Sequence, residues 1–211
     1  MMTDGHDDIP LELRVIFFET EADPTEWFLM PLHWTEQQRT EIDEWAATCA
    51  DIVHQRHRKW WRSPNRTVLT DRFRQLIEAH PHPGVPAHQV FLYGGDPRRV
   101  PQPFYALLMQ GEGAGRESDL RTLVQATEEG SVRPPDVTAF DSGRIGEGLR
   151  CLSYFRDDAG LGVSLNYGWW SEELQIYASV RTVTDELGWL GLNMDIFDEF
   201  ARSIWLNPNP E

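Results

Sequence analysis

Four strand-length runs follow one another at residues 136–141, 148–156, 161–169 and 173–183, with only short turns between them. Asp157-Asp158-Ala159-Gly160 reads as the hairpin turn between the second and third runs. A meander of this kind confines the chain to folds built on an antiparallel sheet. The rest of the sequence must then supply what covers that sheet.

Helical patterns supply it. Thr35 precedes a long one, with Gln38 three residues on completing a capping box. Apolar residues at Ile42, Trp45, Ala46, Cys49, Ile52, Val53 and Trp60 keep helical spacing for about five turns. Acids at its start and bases at its end suit the helix dipole. Ser63-Pro64-Asn65 breaks it, and a second helix spans about Arg66 to Ala79, with Leu69, Phe73, Leu76 and Ile77 on one face. Ser118 caps a short helix carrying Leu120, Leu123 and Val124. The last helix runs from about Met194 to Trp205, buries Ile196, Phe197, Phe200, Ala201, Ile204 and Trp205, and stops at Asn207-Pro208. Its carboxylates Asp195, Asp198 and Glu199 read as its wet face.

Before and between the helices, residues 11–18 form a strand that pairs with Glu26 to Met30 across Glu21-Ala22-Asp23-Pro24. His88 to Tyr93 and Pro103 to Gln110 form two more strands. The proline-rich run from His80 to Pro86 is a loop. The expectation is an α+β fold with a largely antiparallel sheet of six to eight strands, on which a long helix from the N-terminal half and a C-terminal helix pack. Residues 1–10 read as a disordered acidic N-terminus, 11–206 as a single domain and 207–211 as a tail.

Charge narrows the partners. Nineteen bases against 34 acids leave −15, which argues against nucleic acid and anionic membranes. No apolar run has the length of a transmembrane helix. The first ten residues are acidic where a secretory signal would be basic and then apolar, so the expected location is the cytoplasm. The excess is uneven. Residues 1–51 hold thirteen acids and two bases, whereas residues 52–75 hold seven bases and one acid.

Several chemistries lack their residues. The one lysine, Lys59, has no glycine near it, so there is no phosphate-binding loop. Cys49 and Cys151 form no Cys-x-x-Cys pair; two buried free thiols are the commoner outcome, and a disulfide between them is the alternative. Asp141-Ser142-Gly143 carries the aspartic-protease tripeptide once, and a strand ending in a turn explains it. The glycine-rich segments 111–115 and 143–148 lack the dinucleotide-binding order, and no Gly-x-Ser-x-Gly occurs. His54 and His57 lie one helical turn apart, but Arg56, Arg58 and Lys59 surround them and no carboxylate completes a metal site. No catalytic residue, metal or cofactor is assigned.

Two features remain for binding. The basic island at the end of the first helix contains Arg56, Arg58, Trp60, Trp61 and Arg62, and Arg and Trp are enriched at interface hot spots. Dipole complementation and arginine stems lying over apolar surface also account for it. Among nine tryptophans, Trp169 and Trp170 are adjacent in a strand and face opposite sides. Either both faces of the sheet are covered or Trp170 is an exposed recognition residue.

The order of elements, with Phe200-Ala201-Arg202-Ser203-Ile204 in the last helix, resembles α+β proteins of high-GC Gram-positive bacteria and a PsbP/Mog1-type arrangement. That resemblance implies a binding or accessory module. The sequence reading is a non-enzymatic interaction protein with an acidic surface and a basic protein partner, an inhibitor or immunity-type protein being one case. The alternative is an enzyme or small-molecule binder with a pocket near residues 54–88. A homo-oligomer burying its own exposed tryptophans is a third reading.

Overall fold

The computed structural model describes residues 16–32, 36–59, 64–79, 88–111, 115–126, 130–158 and 160–208. Its main sheet has seven strands in the order β2-β3-β4-β8-β7-β6-β5, and a second sheet pairs β1 with β9. The α+β expectation and its strand number therefore hold. The chain divides into two compact units, one made of Ala22–Tyr105 and the other of the chain up to Glu21 and from Ala106 on.

The first unit holds β2 (Trp27–Met30), α1 (Arg39–His57), α2 (Arg66–Glu78), β3 (Gln89–Tyr93) and the start of β4 (Gln102–Gln110). Phe28 and Met30 of β2 and Val90 and Leu92 of β3 share one core with Ala46, Cys49 and Val53 of α1 and Leu69, Phe73 and Ile77 of α2. The helical periodicity read from the sequence is this buried stripe. Asn65 starts α2 by accepting the amide of Val68 at 3.0 Å, a good N-cap geometry. α1 is preceded by a 3-10 turn at Glu36–Gln38, and Gln38 occupies its N-cap position without a side-chain cap bond. The capping-box expectation rests on Thr35, which lies outside the described residues. So do Trp34, Trp60, residues 1–10 and the His80–Pro86 loop.

The second unit contains the meander: β5 (Asp136–Asp141), β6 (Glu147–Asp157), β7 (Gly160–Ser171) and β8 (Ile176–Thr184). All three successive pairs are antiparallel. The β6–β7 hairpin closes with Asp157 opposite Gly160. Gly160 has φ +136°, and its amide donates to Asp157 Oδ1 at 3.0 Å, a backbone shape that favours glycine. β7 is buried along nearly its whole length. On one face Tyr167 and Trp169 stack with centroids 6.1 Å apart beside Phe140, and α5 (Met194–Ser203) lies there. On the other, Leu120 of α3 (Arg116–Leu123) clusters with Trp170 and Tyr177. A Cβ on Gly168 would come within 2.7 Å of Val124 and 3.1 Å of Leu123, so glycine permits the close approach of this cover. Covered faces thus resolve the tryptophan pair, and both rings are buried.

Three sequence expectations are corrected here. β1 (Phe17–Thr20) does not pair with β2. It pairs with β9 (Ile204–Asn207), Thr20 opposite Ile204, and β2 pairs with β3. The amides of Glu26 and Trp27 both donate to the Asp23 carbonyl, a helical turn that cannot return the chain as a tight hairpin. The last helix ends at Ser203, because Ile204 turns to extended backbone at φ −78°, ψ 140° and begins β9. The buried Ile204 satisfies a helical stripe and an alternating strand alike, so its periodicity could not decide. Gly115, not Ser118, is the N-cap residue of α3. A short α4 (Leu187–Leu192) precedes α5 without having been expected.

Of the two alternatives the sequence left, the structure has Cys49 and Cys151 free and buried. Burial pushes the Cys49 thiol up to about 12; burial, then the negative charge of Asp136, takes Cys151 to about 11. Thiolate is the reactive form. Native protein at about pH 8 should therefore react with an aromatic disulfide reagent only as fast as it opens, and fully in denaturant. A rapid stoichiometric reaction with native protein would contradict this.

Candidate interaction surface

The basic island is largely consumed by the fold. Arg56 Nη1 donates to Asp23 Oδ2 at 2.8 Å and to Thr25 Oγ1, and its Nη2 reaches Glu26 Oε1 at 2.5 Å. Hydrogen bonds from Thr25, then Arg56, hold the Asp23 carboxyl below the usual range despite some desolvation. Arg66 pairs with Asp51, and Arg74 with Asp43 at 2.7 Å and Asp71 at 3.1 Å. Arg72 donates to the carbonyls of Pro97 at 2.6 Å and Arg99 at 3.0 Å. Arg58 is exposed, while Trp60, Trp61 and Arg62 lie outside the described residues. His57 is buried, and desolvation and the Arg56 charge lower its pKa. Among the described residues no three His, Cys, Asp or Glu side chains are placed to hold a metal.

Trp170 is not an exposed recognition residue. Its ring lies 4.6 Å from that of Tyr177, and its Nε1 donates to Glu172 Oε2 at 2.8 Å. The Tyr177 hydroxyl donates in turn to Asp119 Oδ2 at 2.8 Å. Arg56 and Arg58 belong to the first unit and Trp170 to the second.

The wet-face reading of α5 fails at Asp198. This carboxylate is buried, accepts Arg150 Nη1 at 2.6 Å and accepts the Tyr167 hydroxyl at 2.8 Å. Burial, followed by the Asp198 charge, raises the Tyr167 pKa well above its ordinary value, so the phenol stays a donor. Spacing on α5 identified a carboxylate but not the arginine and tyrosine waiting for it on β6 and β7. Asp141-Ser142-Gly143 is a turn, as expected: Asp141 Oδ1 accepts the Gly143 amide at 2.8 Å, and Ser142 Oγ accepts that of Ile145 at 2.7 Å.

The division into units sorts the charge. Ala22–Tyr105 contains ten acids and ten bases, so it is neutral. The other unit contains 24 acids and nine bases and carries the whole −15. Summing along sequence segments hid this, because the acids of α1 and the bases that follow belong to one unit and cancel there.

The meander concentrates part of this surplus. β6 ends, β7 starts and β8 ends toward the same end of the sheet, which places Asp157, Asp158, Asp185 and Glu186 there, all exposed; Asp136, also exposed, stands opposite Leu152, five residues back along β6 from Asp157. Arg133 lies 3.8 Å over the Tyr154 ring, and the Val132 amide donates to the Tyr154 carbonyl at 2.7 Å. Val132, Leu161 and Val183, on segments ending here, are 52%, 38% and 44% exposed. Exposed apolar side chains beside charged ones are the ingredients of a docking surface. The acids set its sign.

No family model matches the chain, and no curated protein matches it. Among solved structures it is similar to LpqN, involved in cell envelope biogenesis of Mycobacterium tuberculosis, at 11% identity and a TM-score of 0.41, over 92% of this chain and 84% of that one. Among the described residues no helix is long and apolar enough to cross a membrane.

Proposed function

We propose that this chain is a non-enzymatic interaction module of the cytoplasm that docks a basic protein through its acidic unit, as an inhibitor or immunity-type protein would. The observation that carries this reading is the charge division, zero in one unit and −15 in the other. A neutral unit in which Arg56, Arg66, Arg72 and Arg74 are engaged by its own carboxylates and carbonyls leaves the acidic unit to set the long-range field. Such a field steers an oppositely charged protein and speeds its association.

The test is capture from lysate at low ionic strength and at about 1 M salt, where the screening length falls to about 3 Å. A stoichiometric basic protein should be retained at low salt and lost at high salt. Changing Asp158→Arg and Asp185→Arg together should slow its association about tenfold at low salt. Among the described residues neither carboxylate carries a structural bond, so folding should be left intact. Recovery of the bait alone, or a partner indifferent to both salt and charge reversal, would overturn the reading.

A further inference from the structure

Among the described residues the seven-stranded sheet ends on β5, and no strand pairs with its outer edge. β5 meets β6 residue for residue, from Asp136 opposite Leu152 to Asp141 opposite Glu147, without a bulge. In an antiparallel ladder alternate residues turn their N–H and C=O groups to opposite sides. Half of the β5 backbone groups therefore face away from β6. Among the described residues these groups bond to no other segment. Proteins blunt such edges with lysine, proline, a bulge or a covering loop. Val137-Thr138-Ala139-Phe140 uses no lysine, proline or bulge, and Thr138 and Ala139 are exposed at its centre. Instead each end of the strand carries an exposed aspartate.

Those two aspartates choose the occupant. A second copy pairing antiparallel through β5 can centre only on a residue, because the outward backbone groups of both copies fall on the same alternate positions. Centred on Thr138 or Ala139, it sets Asp136 and Asp141 opposite uncharged residues and brings together two units that each carry −15. An extended segment with a cation at each end gives both aspartates an opposite charge directly across the strand pair. We propose that β5 receives an extended basic segment as an added strand, with Lys or Arg five positions apart facing Asp136 and Asp141. This names the mode of docking and rests on the reading above that the partner is basic. Backbone hydrogen bonds would supply affinity, and the end charges direction and selectivity.

Peptides test it on the intact chain. The probe is acetyl-Lys-Val-Thr-Val-Thr-Lys-amide, titrated into isotope-labelled protein and followed by backbone amide NMR. Saturable shifts should centre on residues 136–141. They should vanish when alternate peptide nitrogens are methylated, and a Glu-ended version should bind at least about tenfold more weakly. Asp136→Lys with Asp141→Asn should invert that preference; asparagine keeps the acceptor that the Gly143 amide uses. Shifts elsewhere, no shifts, equal binding of the methylated peptide, or self-association of the free chain through β5 would each overturn strand addition. The two proposals separate cleanly. If a captured partner is lost with Asp158→Arg and Asp185→Arg but kept with Asp136→Lys and Asp141→Asn, docking stands and strand addition falls. If both double variants leave it bound, docking itself falls.

Discussion

Asp198→Ala should lower the stability of the acidic unit by about 3–5 kcal/mol, the usual cost of removing one partner from a buried charge pair. The Arg150 and Asp198 side chains are only 24% and 11% exposed, and their bond is 2.6 Å long. Alanine leaves the guanidinium with little access to water and the fully buried Tyr167 hydroxyl without its acceptor. Arg202, 3.9 Å from the same carboxylate oxygen and stacked over Phe140, loses its counter-ion as well. At about 2–4 °C per kcal/mol for a chain of this size, the midpoint should fall by about 10 °C. Tyr167→Phe removes one charged hydrogen bond while leaving the ion pair, so about 1.5–3 kcal/mol is expected. Urea melts read by amide exchange in β6 and β7 would measure both. A loss below about 1 kcal/mol in Asp198→Ala would show that the network contributes little to the fold.

That network also marks where sequence reasoning stopped. Periodicity placed the four meander strands within a few residues, because every strand is long and turn residues separate them. α2 was legible for the same reason, its apolar face and its Ser63-Pro64-Asn65 break agreeing with each other. Asp198 was misread because a carboxylate at a helical spacing looks the same whether water or Arg150 faces it. Only the packing of α5 on β6 and β7 distinguishes the two. β1 and β9 were misread for a related cause: short strands from opposite ends of the chain carry no local signal of their pairing. The Thr20–Ser203 hydroxyl contact at 2.5 Å and the Asn207–Glu19 bond join residues more than 180 positions apart.

The candidate surface was half legible. Net charge pointed to an acidic protein, and the tryptophan and arginine counts pointed to Arg56, Arg58, Trp60, Trp61, Arg62 and Trp170 as binding residues. The structure gives Arg56 to Asp23 and Glu26 and buries Trp170, while Arg58 is exposed and Trp60, Trp61 and Arg62 lie outside the described residues. The acids that remain outward had no signature beyond their number. The grouping of Asp157–Asp158 with Asp185–Glu186 depends on an antiparallel order that returns strand ends to one place. The open β5 edge depends on strand order too, which no local pattern encodes.

Phe73→Ala should cost the neutral unit about 3–5 kcal/mol, comparable with the loss at Asp198 but from a different source. Phe73 is completely buried on α2, and its ring meets Phe28 edge-on at 5.3 Å and Trp45 edge-on at 5.7 Å. Alanine removes the transfer energy of the ring and leaves a cavity that β2, α1 and α2 line together. The two edge contacts add about 0.5–1.5 kcal/mol each. Phe73→Leu restores most of the volume but neither ring contact, so it should recover more than half of the loss. Val68→Ala, at an exposed position of the same helix, should stay within about 0.5 kcal/mol. Amide exchange then tells whether the units share one transition. If Phe73→Ala lowers protection in α1, α2 and β3 while β6 and β7 keep theirs, the neutral unit opens as its own cooperative block. If all of them fall together, the charge asymmetry lies on one folding unit. A loss at Phe73 no larger than that at Val68 would refute the core assignment.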